Sequence, residues 1–365
     1  MVFSMVEISV ILYVFNDYEF LKESLNSILN QSFKDFEIIC MDDESTDNSL
    51  SLLQEYSGKD NRITVSSHKH VGLSSSINNA MKYAKGKYLY FTNPGTLMEE
   101  NAFERMHKRV LEEETDLIIA DIRNYDSTYD NYYANDKYSI SKLLNKTDKK
   151  TFNLEDMDDL IFEFQPTLEN KLYSTEFLKQ NNIHFDEDSL HGEYIFYFET
   201  FLSAETISCI DDVLFTHLDY YTSLNDRKDN VLLDILSSSD KIMNLFRKYG
   251  HFENYKILYN YKFNLDIEGY NRINELYKDD YFNRLRTGLI SIIRDDKVGD
   301  DFLENISDYN RKLFEQIIIS ENFYEFDRVR KAYFEKTEYY KLINQKKYLK
   351  PYMDKMNQNS TKKYC

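Results

Sequence analysis

Residues 6–17 read VEISVILYVFND, a nearly continuous apolar run of strand length that ends in two polar residues. A strand covered by helices on both faces has this composition, because neither face meets water. Four later stretches repeat the pattern: FEIICMDD at residues 36–43, RITVSS at 62–67, KYLYFTN at 87–93 and TDLIIADI at 115–122. The first run predicts a buried strand, and the repeats predict its neighbours in one sheet.

Helical patterns separate these predicted strands. Apolar residues recur on one helical face in each: Leu21, Leu25 and Ile28, then Leu50, Leu52 and Leu53, then Ile77, Met81 and Ala84. Ser45 or Thr46 is the predicted N-cap of the second helix, and the third is predicted to stop near Gly86. Alternating strands and helices indicate an α/β domain around a central, mostly parallel sheet.

The C-terminal part of the chain has a different pattern. From about Arg227 there are three helix-length stretches, at residues 231–250, 270–294 and 310–334, without strand signals. We therefore expect an α/β domain over residues 1–225 and an all-helical region over residues 226–365. The helical region is expected either to form the contact of a homodimer or of a partner protein, or to pack as a lid of core helices.

The charge and the cysteine content of the chain argue against several classes of protein. The chain has 63 acidic and 45 basic residues and a net charge of −18, which argues against nucleic acid as a partner. Its three cysteines show neither metal-ligand spacing nor a disulfide framework. No apolar stretch reaches the roughly 20 residues that span a bilayer. A cytoplasmic protein is expected.

The last stretch of the chain combines lysines with apolar side chains. These residues are Lys346, Lys347, Lys350 and Lys355, with Tyr348, Leu349, Tyr352 and Met353 between them. A basic amphipathic segment can lie weakly on the inner face of a membrane. Pro351 interrupts the helix, so a solvated terminal helix is the favoured interpretation.

Several ordered blocks resemble family 2 glycosyltransferases, which have the GT-A nucleotide-binding fold. They are VEISVILYVFND, SLNSILNQSFKDFEIICMDDESTDNS, KYAKGKYLYF, ENKLYSTEFLKQNNIHFDEDSLHGEYIFYFETF and DDVLFTHLDYYTSLN. Together they cover roughly residues 6 to 225. Several blocks in the family's order are stronger evidence than one isolated motif.

The resemblance implies a donor site where the strands end. Asp42 and Asp43 close the second strand, and Asp43 matches the family position that accepts a hydrogen bond from the uracil of a UDP donor. Tyr13 lies where the base is flanked, with Asn16 beside it. The alternative is that these carboxylates only cap the next helix, which we favour for Asp47.

The resemblance also implies a metal motif that this chain has replaced. The family holds Mg²⁺ or Mn²⁺ against the diphosphate with acidic residues after the fourth strand. Here those positions include Asn93, Gly95 and Thr96, so no metal site of ordinary strength and no firm cofactor is predicted. Glu99 and Glu100 follow. Their simpler explanation is a favourable interaction with the dipole of the helix predicted to begin near Asn101.

Further departures affect the positive charge around the donor. In HVGLSSSINNAM, at residues 70–81, Gly72 and Asn78 match the family, whereas His70 replaces an asparagine and Ile77 an arginine. The resemblance suggests that Lys171, in the ENKLY block, supplies the positive charge that stabilises the departing diphosphate. Its alternative interpretation is a surface lysine beside a core leucine.

The catalytic base is also replaced. The family's Gly-Glu-Asp block reads Gly192, Glu193 and Tyr194 here, and a tyrosine hydroxyl is a poor base at neutral pH. Glu193 or His191 is the candidate to take the proton of the acceptor hydroxyl. The alternative is that both belong to an ordinary helix start.

The expected function is transfer of a sugar from a UDP-type donor to a glycan, lipid-linked or cell-envelope acceptor, with weak or no metal dependence. The alternative is an inactive relative that binds the nucleotide sugar or assembles with an active transferase. Loss of metal, arginine and base together motivates that alternative, because each contributes about 10²-fold or more to rate.

Overall fold

The structure is a computed structural model that describes residues 6–127, 129–134, 140–146, 151–218, 228–252, 256–294 and 296–334. The chain divides into two compact units, Met1–Ser223 and Leu224–Cys365. The predicted domain boundary, between residues 225 and 226, stays a prediction because residues 219–227 lie outside the described ranges.

The first unit is built around a ten-stranded sheet in the described residues. Its strands are β1 Ile8–Val14, β2 Phe36–Asp42, β3 Ile63–Ser67, β4 Tyr88–Thr92, β5 Thr96–Met98, β6 Leu117–Asp126, β7 Asn131–Tyr133, β8 Thr151–Phe152, β9 Lys171–Ser174 and β10 Ile207–Leu218. The order is β3-β2-β1-β4-β9-β6-β10-β5, with β7 beside β6 and β8 beside β10. Strands β1 to β4 run parallel, as do β6 and β10, whereas β9 and β5 are antiparallel to their neighbours.

Helices cover this sheet and bury its strands. They are α1 Tyr18–Leu29, α2 Ser49–Ser57, α3 Leu73–Met81, α4 Ala102–Glu113, α5 Ser141–Lys146, α6 Leu154–Met157, α7 Thr175–Gln180 and α8 Gly192–Ser203. All seven residues of β1 are buried, as its continuous apolar sequence predicted. Val14 pairs with Asp42 across β1 and β2, so both strands end at the same edge of the sheet.

The five strands predicted from the apolar runs are confirmed as β1 to β4 and β6. The predicted start of α2 is wrong, because the helix begins at Ser49 and Asn48 precedes it. Ser45 is engaged elsewhere, since its hydroxyl accepts a hydrogen bond from the Asn16 N–H at 3.0 Å. The third helix ends earlier than predicted, at Met81.

The second unit is helical, as predicted. Its helices are α9 Asp234–Lys248, α10 Leu258–Arg272, α11 Glu275–Arg294, α12 Asp296–Asn305, α13 Asp308–Ile319 and α14 Phe323–Phe334. The last two predicted helices are each divided, because Ile273 and Ser320 adopt extended backbone with ψ of 143° and 137°. None of the helices that the structure describes is both long and apolar enough to cross a bilayer. The lysine-rich stretch at residues 346–355 lies outside the described ranges.

Candidate functional site

The loops that follow β1 and β2 are bound to each other. Asn16, with a φ of 58°, accepts hydrogen bonds through Oδ1 from the N–H and hydroxyl of Thr46, at 2.7 and 3.1 Å. Asp47 accepts from the N–H groups of Tyr18 and Ser49, at 3.1 and 2.9 Å. Burial raises the pKa of Asp47, but these hydrogen bonds outweigh it and hold the pKa below its usual value. Asn16, a predicted donor-binding residue, therefore organises the loop that carries Asp43.

Asp43 is fully buried and lies at the centre of a set of hydrogen-bond donors. The N–H of Val71 donates to Oδ1 at 2.8 Å, and the N–H of Gly72 donates to Oδ2 at 2.9 Å. The Tyr13 hydroxyl also donates to Oδ2, at 2.9 Å. Gly72 has a φ of 85°, a left-handed conformation that favours glycine, and it precedes α3. The predicted residues Tyr13, Asp43 and Gly72 thus meet at one point.

Two histidines complete the surroundings of Asp43. Nδ1 of His70 lies 2.8 Å from Asp43 Oδ2, and Nδ1 of His68 lies 3.4 Å from Oδ1. The His70 ring stacks on Phe15 with centroids 4.5 Å apart and an interplanar angle of 26°. We call Asp43, Tyr13, His70, Val71 and Gly72 the Asp43 cluster.

Asp42 lies beside this cluster and is equally buried. Its Oδ2 accepts a hydrogen bond from the Ser67 hydroxyl at 2.8 Å, while its Oδ1 has no partner. A buried carboxylate oxygen without a donor is costly, and it distinguishes Asp42 from Asp43, whose two oxygens both accept hydrogen bonds.

Residues 93–96, which we call the 93–96 segment, follow β4, where the sequence predicts a replaced metal motif. Asn93 Oδ1 and Thr96 Oγ1 are buried and without a hydrogen-bond partner. Gly95 has a φ of 104°, its N–H donates to the Ser24 hydroxyl at 3.0 Å, and its carbonyl accepts from the Leu218 N–H at 2.8 Å. Two neutral oxygens do not fit Mg²⁺ or Mn²⁺, which prefer carboxylates. The described residues include no cluster of three or more His, Cys, Asp or Glu able to hold a metal ion.

The start of α8 packs against the start of α3. A Cβ on Gly192 would lie 2.2 Å from the Ser74 hydroxyl and 2.8 Å from the Asp186 carbonyl, so no larger residue fits without movement. Asn78 of α3 exchanges hydrogen bonds with the backbone of Phe185, at 2.8 and 2.9 Å. The contact brings the 191–194 block close to Gly72, whereas the predicted donor-binding amide of Asn78 is engaged inside the protein.

The candidate bases lie at this junction. His191 Nδ1 and Glu193 Oε1 are 3.9 Å apart, and their side chains are 12% and 16% exposed. Nε2 of His191 is buried without a hydrogen-bond partner. The Tyr194 hydroxyl, at the position predicted to have lost the base, accepts a hydrogen bond from Gln165 Nε2 at 3.1 Å. Glu193 is thus the carboxylate that the block presents beside His191.

Lys171 is 3% exposed, so its interpretation as a surface lysine is wrong. Its ammonium donates to the Thr167 carbonyl at 2.5 Å and to Asn170 Oδ1 at 2.7 Å. Burial lowers the pKa of Lys171 to about 7, although the carboxylate of Glu169 acts in the opposite direction. The group therefore faces protein acceptors, and its predicted contact with the donor stays a prediction.

Two basic residues near the sheet edge, His68 and Arg123, were not identified from the sequence. His68 approaches Asp43, and Arg123 on β6 donates to Glu99 Oε1 at 2.9 Å and to the Thr216 hydroxyl at 3.0 Å. Thr216 pairs with both Arg123 and Leu97 of β5, the strand that continues from the 93–96 segment. An arginine near the carboxyl end of a parallel strand was the available signal for this cation.

These residues line the edge where strands of an open parallel sheet place their ligands. Residues 9–165 match the sequence profile described as Glycosyl transferase family 2. This segment belongs to that family. The family predicted from the motifs is thus supported for residues 9–165, while the replacement of its metal and base residues stays a prediction.

Curated relatives of the chain are bacterial glycosyltransferases. It is 32% identical over 127 residues to Glycosyltransferase GlyG of Streptococcus pneumoniae, covering 34% of this chain and 42% of GlyG. It is 26% identical over 281 residues to the Cholesterol galactosyltransferase of Borreliella burgdorferi, covering 74% of this chain and 76% of that protein. The chain therefore spans less than half of the first relative and about three quarters of the second.

The fold is shared with a solved structure, residues 1–349 of Staphylococcus aureus TarS in complex with UDP-GlcNAc. The two are 19% identical with a TM-score of 0.63, over 85% of this chain and 87% of that one. The predicted fold class, a GT-A-type domain followed by helices, is thereby confirmed.

Proposed function

We propose that this chain is a glycosyltransferase that moves a sugar from a UDP-type nucleotide sugar to a cell-envelope glycan or lipid-linked acceptor. The observation that carries the proposal is the family match over residues 9–165, the segment that contains Asp43 and the 93–96 segment. The relatives with cell-envelope activities support it: one is named as a poly(ribitol-phosphate) β-glucosyltransferase, at 28% identity over 220 residues.

In this proposal the Asp43 cluster binds the nucleobase of the donor. The 191–194 block acts on the acceptor. A carboxylate can only accept hydrogen bonds, so Asp43 favours a nucleobase edge that presents an N–H over one that presents an acceptor. Glu193 takes the proton of the acceptor hydroxyl as that oxygen attacks the anomeric carbon, and His191 lies beside it. The diphosphate lies toward the neutral oxygens of the 93–96 segment, so we propose weak metal dependence.

The test is UDP release from purified protein incubated with a panel of UDP-sugars and envelope-type acceptors, in Mn²⁺ and in EDTA. We expect release with at least one sugar, at similar rates in both conditions. If no sugar is hydrolysed or transferred and UDP does not bind, the proposal is wrong.

A second candidate is a nucleotide-sugar binder without turnover. The replacement of the family base by Tyr194, whose hydroxyl is already bonded to Gln165, favours it. UDP binding by calorimetry together with absent turnover on every donor and acceptor would support this candidate over the first. The helical unit would then serve as the proposed contact for a second copy or a partner transferase.

The buried free thiols of Cys40 and Cys209 support the cytoplasmic location proposed from the sequence, since reducing conditions keep such thiols reduced. A peripheral position at the inner membrane face remains part of the proposal through the lysine-rich tail. Co-sedimentation with anionic vesicles, compared between the full chain and one with Lys346, Lys347 and Lys350 changed to Gln, tests it.

A further inference from the structure

The His70 side chain makes two contacts that together resemble those of a nucleobase. Its ring nitrogen Nδ1 lies 2.8 Å from Asp43 Oδ2, and the same ring stacks at 4.5 Å on Phe15. A planar ring that presents one N–H to a buried carboxylate while an aromatic face covers it is also the arrangement that a uracil ring would adopt at Asp43.

Asp43 has little capacity for another donor. Three donors, from Tyr13, Gly72 and His70, already converge on Oδ2. Oδ1 accepts from the Val71 N–H and has the His68 ring 3.4 Å away. A carboxylate oxygen offers about two lone-pair directions, so a base N–H must replace a donor already present.

The donors differ in how easily they can leave. The N–H of Gly72 is fixed by the start of α3, and Tyr13 is 8% exposed within β1. The His70 side chain is 52% exposed, and its ring can rotate about side-chain bonds without moving the backbone. The carboxylate of Glu44 holds the His70 backbone, accepting from its N–H at 3.1 Å.

From this geometry we infer that His70 is a built-in competitor for the nucleobase position. The inference rests on the proposed function, since it assumes that the base of the donor binds at Asp43. A base with a ring N–H, as in UDP, displaces the imidazole and takes over both the Asp43 hydrogen bond and the Phe15 face. Cytosine has no proton on N3 and offers only its exocyclic amine, which lies off the ring position that the imidazole N–H occupies, so CDP is expected to bind more weakly than UDP.

The test is calorimetric binding of UDP to the full chain and two variants. We expect His70→Ala to bind UDP about tenfold more tightly than the unchanged protein, because the competing charge-assisted contact is gone. Lys69→Ala is the matched control, since it removes an exposed positive charge from the neighbouring residue. Its affinity is expected to stay within twofold.

The outcomes separate the inference from the proposed function. Equal or weaker UDP binding by His70→Ala, with clear binding by the unchanged protein, overturns the inference alone. Absence of UDP binding by both overturns the proposed function and the inference with it. A second measurement needs no variant: saturating UDP should shift the His70 ring resonances of the unchanged protein toward those of a solvent-exposed histidine, and unshifted resonances would contradict the exchange.

Discussion

The Asp43 cluster and the 93–96 segment lie at one edge of the same sheet and differ in how their polar groups are satisfied. Both carboxylate oxygens of Asp43 accept hydrogen bonds, and the backbone N–H groups of Val71 and Gly72 hold the carboxylate in place. The 93–96 segment has two side-chain oxygens, both neutral, and both are buried without hydrogen-bond partners. One region is organised before a ligand arrives, and the other is not.

The difference has a consequence for how binding energy is distributed. Charge-assisted hydrogen bonds contribute about 1.5–3 kcal/mol each, more than neutral ones. We therefore expect most of the binding free energy of a UDP-type donor to come from its nucleobase. The phosphates should contribute less than they would in a site where a metal ion binds them. Four substitutions test this contrast and the chemistry attached to it.

The largest effect is expected at Glu193. Glu193→Gln should lower kcat by about 10²–10⁴-fold, because the amide cannot accept the acceptor's proton. The Kd for UDP should change by less than twofold, because the substitution leaves the Asp43 cluster, the proposed nucleobase site, unchanged. Initial-rate kinetics and calorimetry measure both quantities.

Tyr194→Phe is the matched control for that variant, and its kcat is expected to stay within about threefold. A larger loss of kcat in Tyr194→Phe than in Glu193→Gln would assign the base to Tyr194. His191→Asn should fall between the two, because its ring contacts the region without supplying a carboxylate.

The next effect concerns Asp43. Asp43→Asn should raise the Kd for UDP about 10- to 100-fold, because an amide provides one oxygen where a carboxylate provides two. Glu55→Gln, which removes an exposed carboxylate of α2 outside the Asp43 cluster, should leave the Kd within about threefold. Similar losses in both variants would show that general negative charge, and not the Asp43 cluster, governs binding.

A smaller effect is expected from adding a carboxylate to the 93–96 segment. UDP affinity of the unchanged protein should differ by less than about threefold between Mn²⁺ and EDTA, since the segment lacks the ligands that this ion prefers. Asn93→Asp should make binding several-fold tighter in Mn²⁺ than in EDTA. A strong Mn²⁺ effect before any substitution would contradict the contrast between the two regions.

The remaining prediction concerns stability, through the charge of Lys171 on β9, the strand beside β4. The pKa of Lys171 is lowered by burial to about 7, whereas a lysine in an unfolded chain titrates near 10.4. Between these values the unfolded chain holds a proton that the folded chain lacks, so stability rises as pH increases.

This group alone should add a slope of about 1.4 kcal/mol per pH unit between about pH 7 and pH 10. The free energy of unfolding of Lys171→Met, measured in urea as a function of pH, should lack that slope. Lys85→Met, which changes an exposed lysine, is the control and should keep it. Parallel curves for Lys171→Met and the unchanged protein would show that the ammonium stays charged inside the fold.

Much of the fold follows from local pattern. Continuous apolar runs gave β1 to β4 and β6, because strands buried on both faces exclude polar residues. The start of α2 was not predicted, since Ser45 bonds to the loop after β1, a tertiary contact that the sequence does not display. The short antiparallel strand β5 is specified by its pairing with β10, far along the chain.

The site was predictable to a similar depth. Family motifs located Asp43, Tyr13 and Gly72, and the structure brings those three together. Burial of Lys171 and the orientation of the His70 ring depend on distant neighbours, Thr167 in one case and Phe15 in the other. Such contacts are set by packing, which no local spacing encodes.

The backbone at Gly95 limits where the 93–96 segment could carry an acidic side chain. At a φ of 104° a side chain is strained at a cost of about 1–3 kcal/mol, and both backbone polar groups of this residue are already bonded. An aspartate at residue 95 would therefore require the loop to change its backbone conformation. Asn93 has no positive φ, so it is a position in this segment where one substitution adds a carboxylate without that strain.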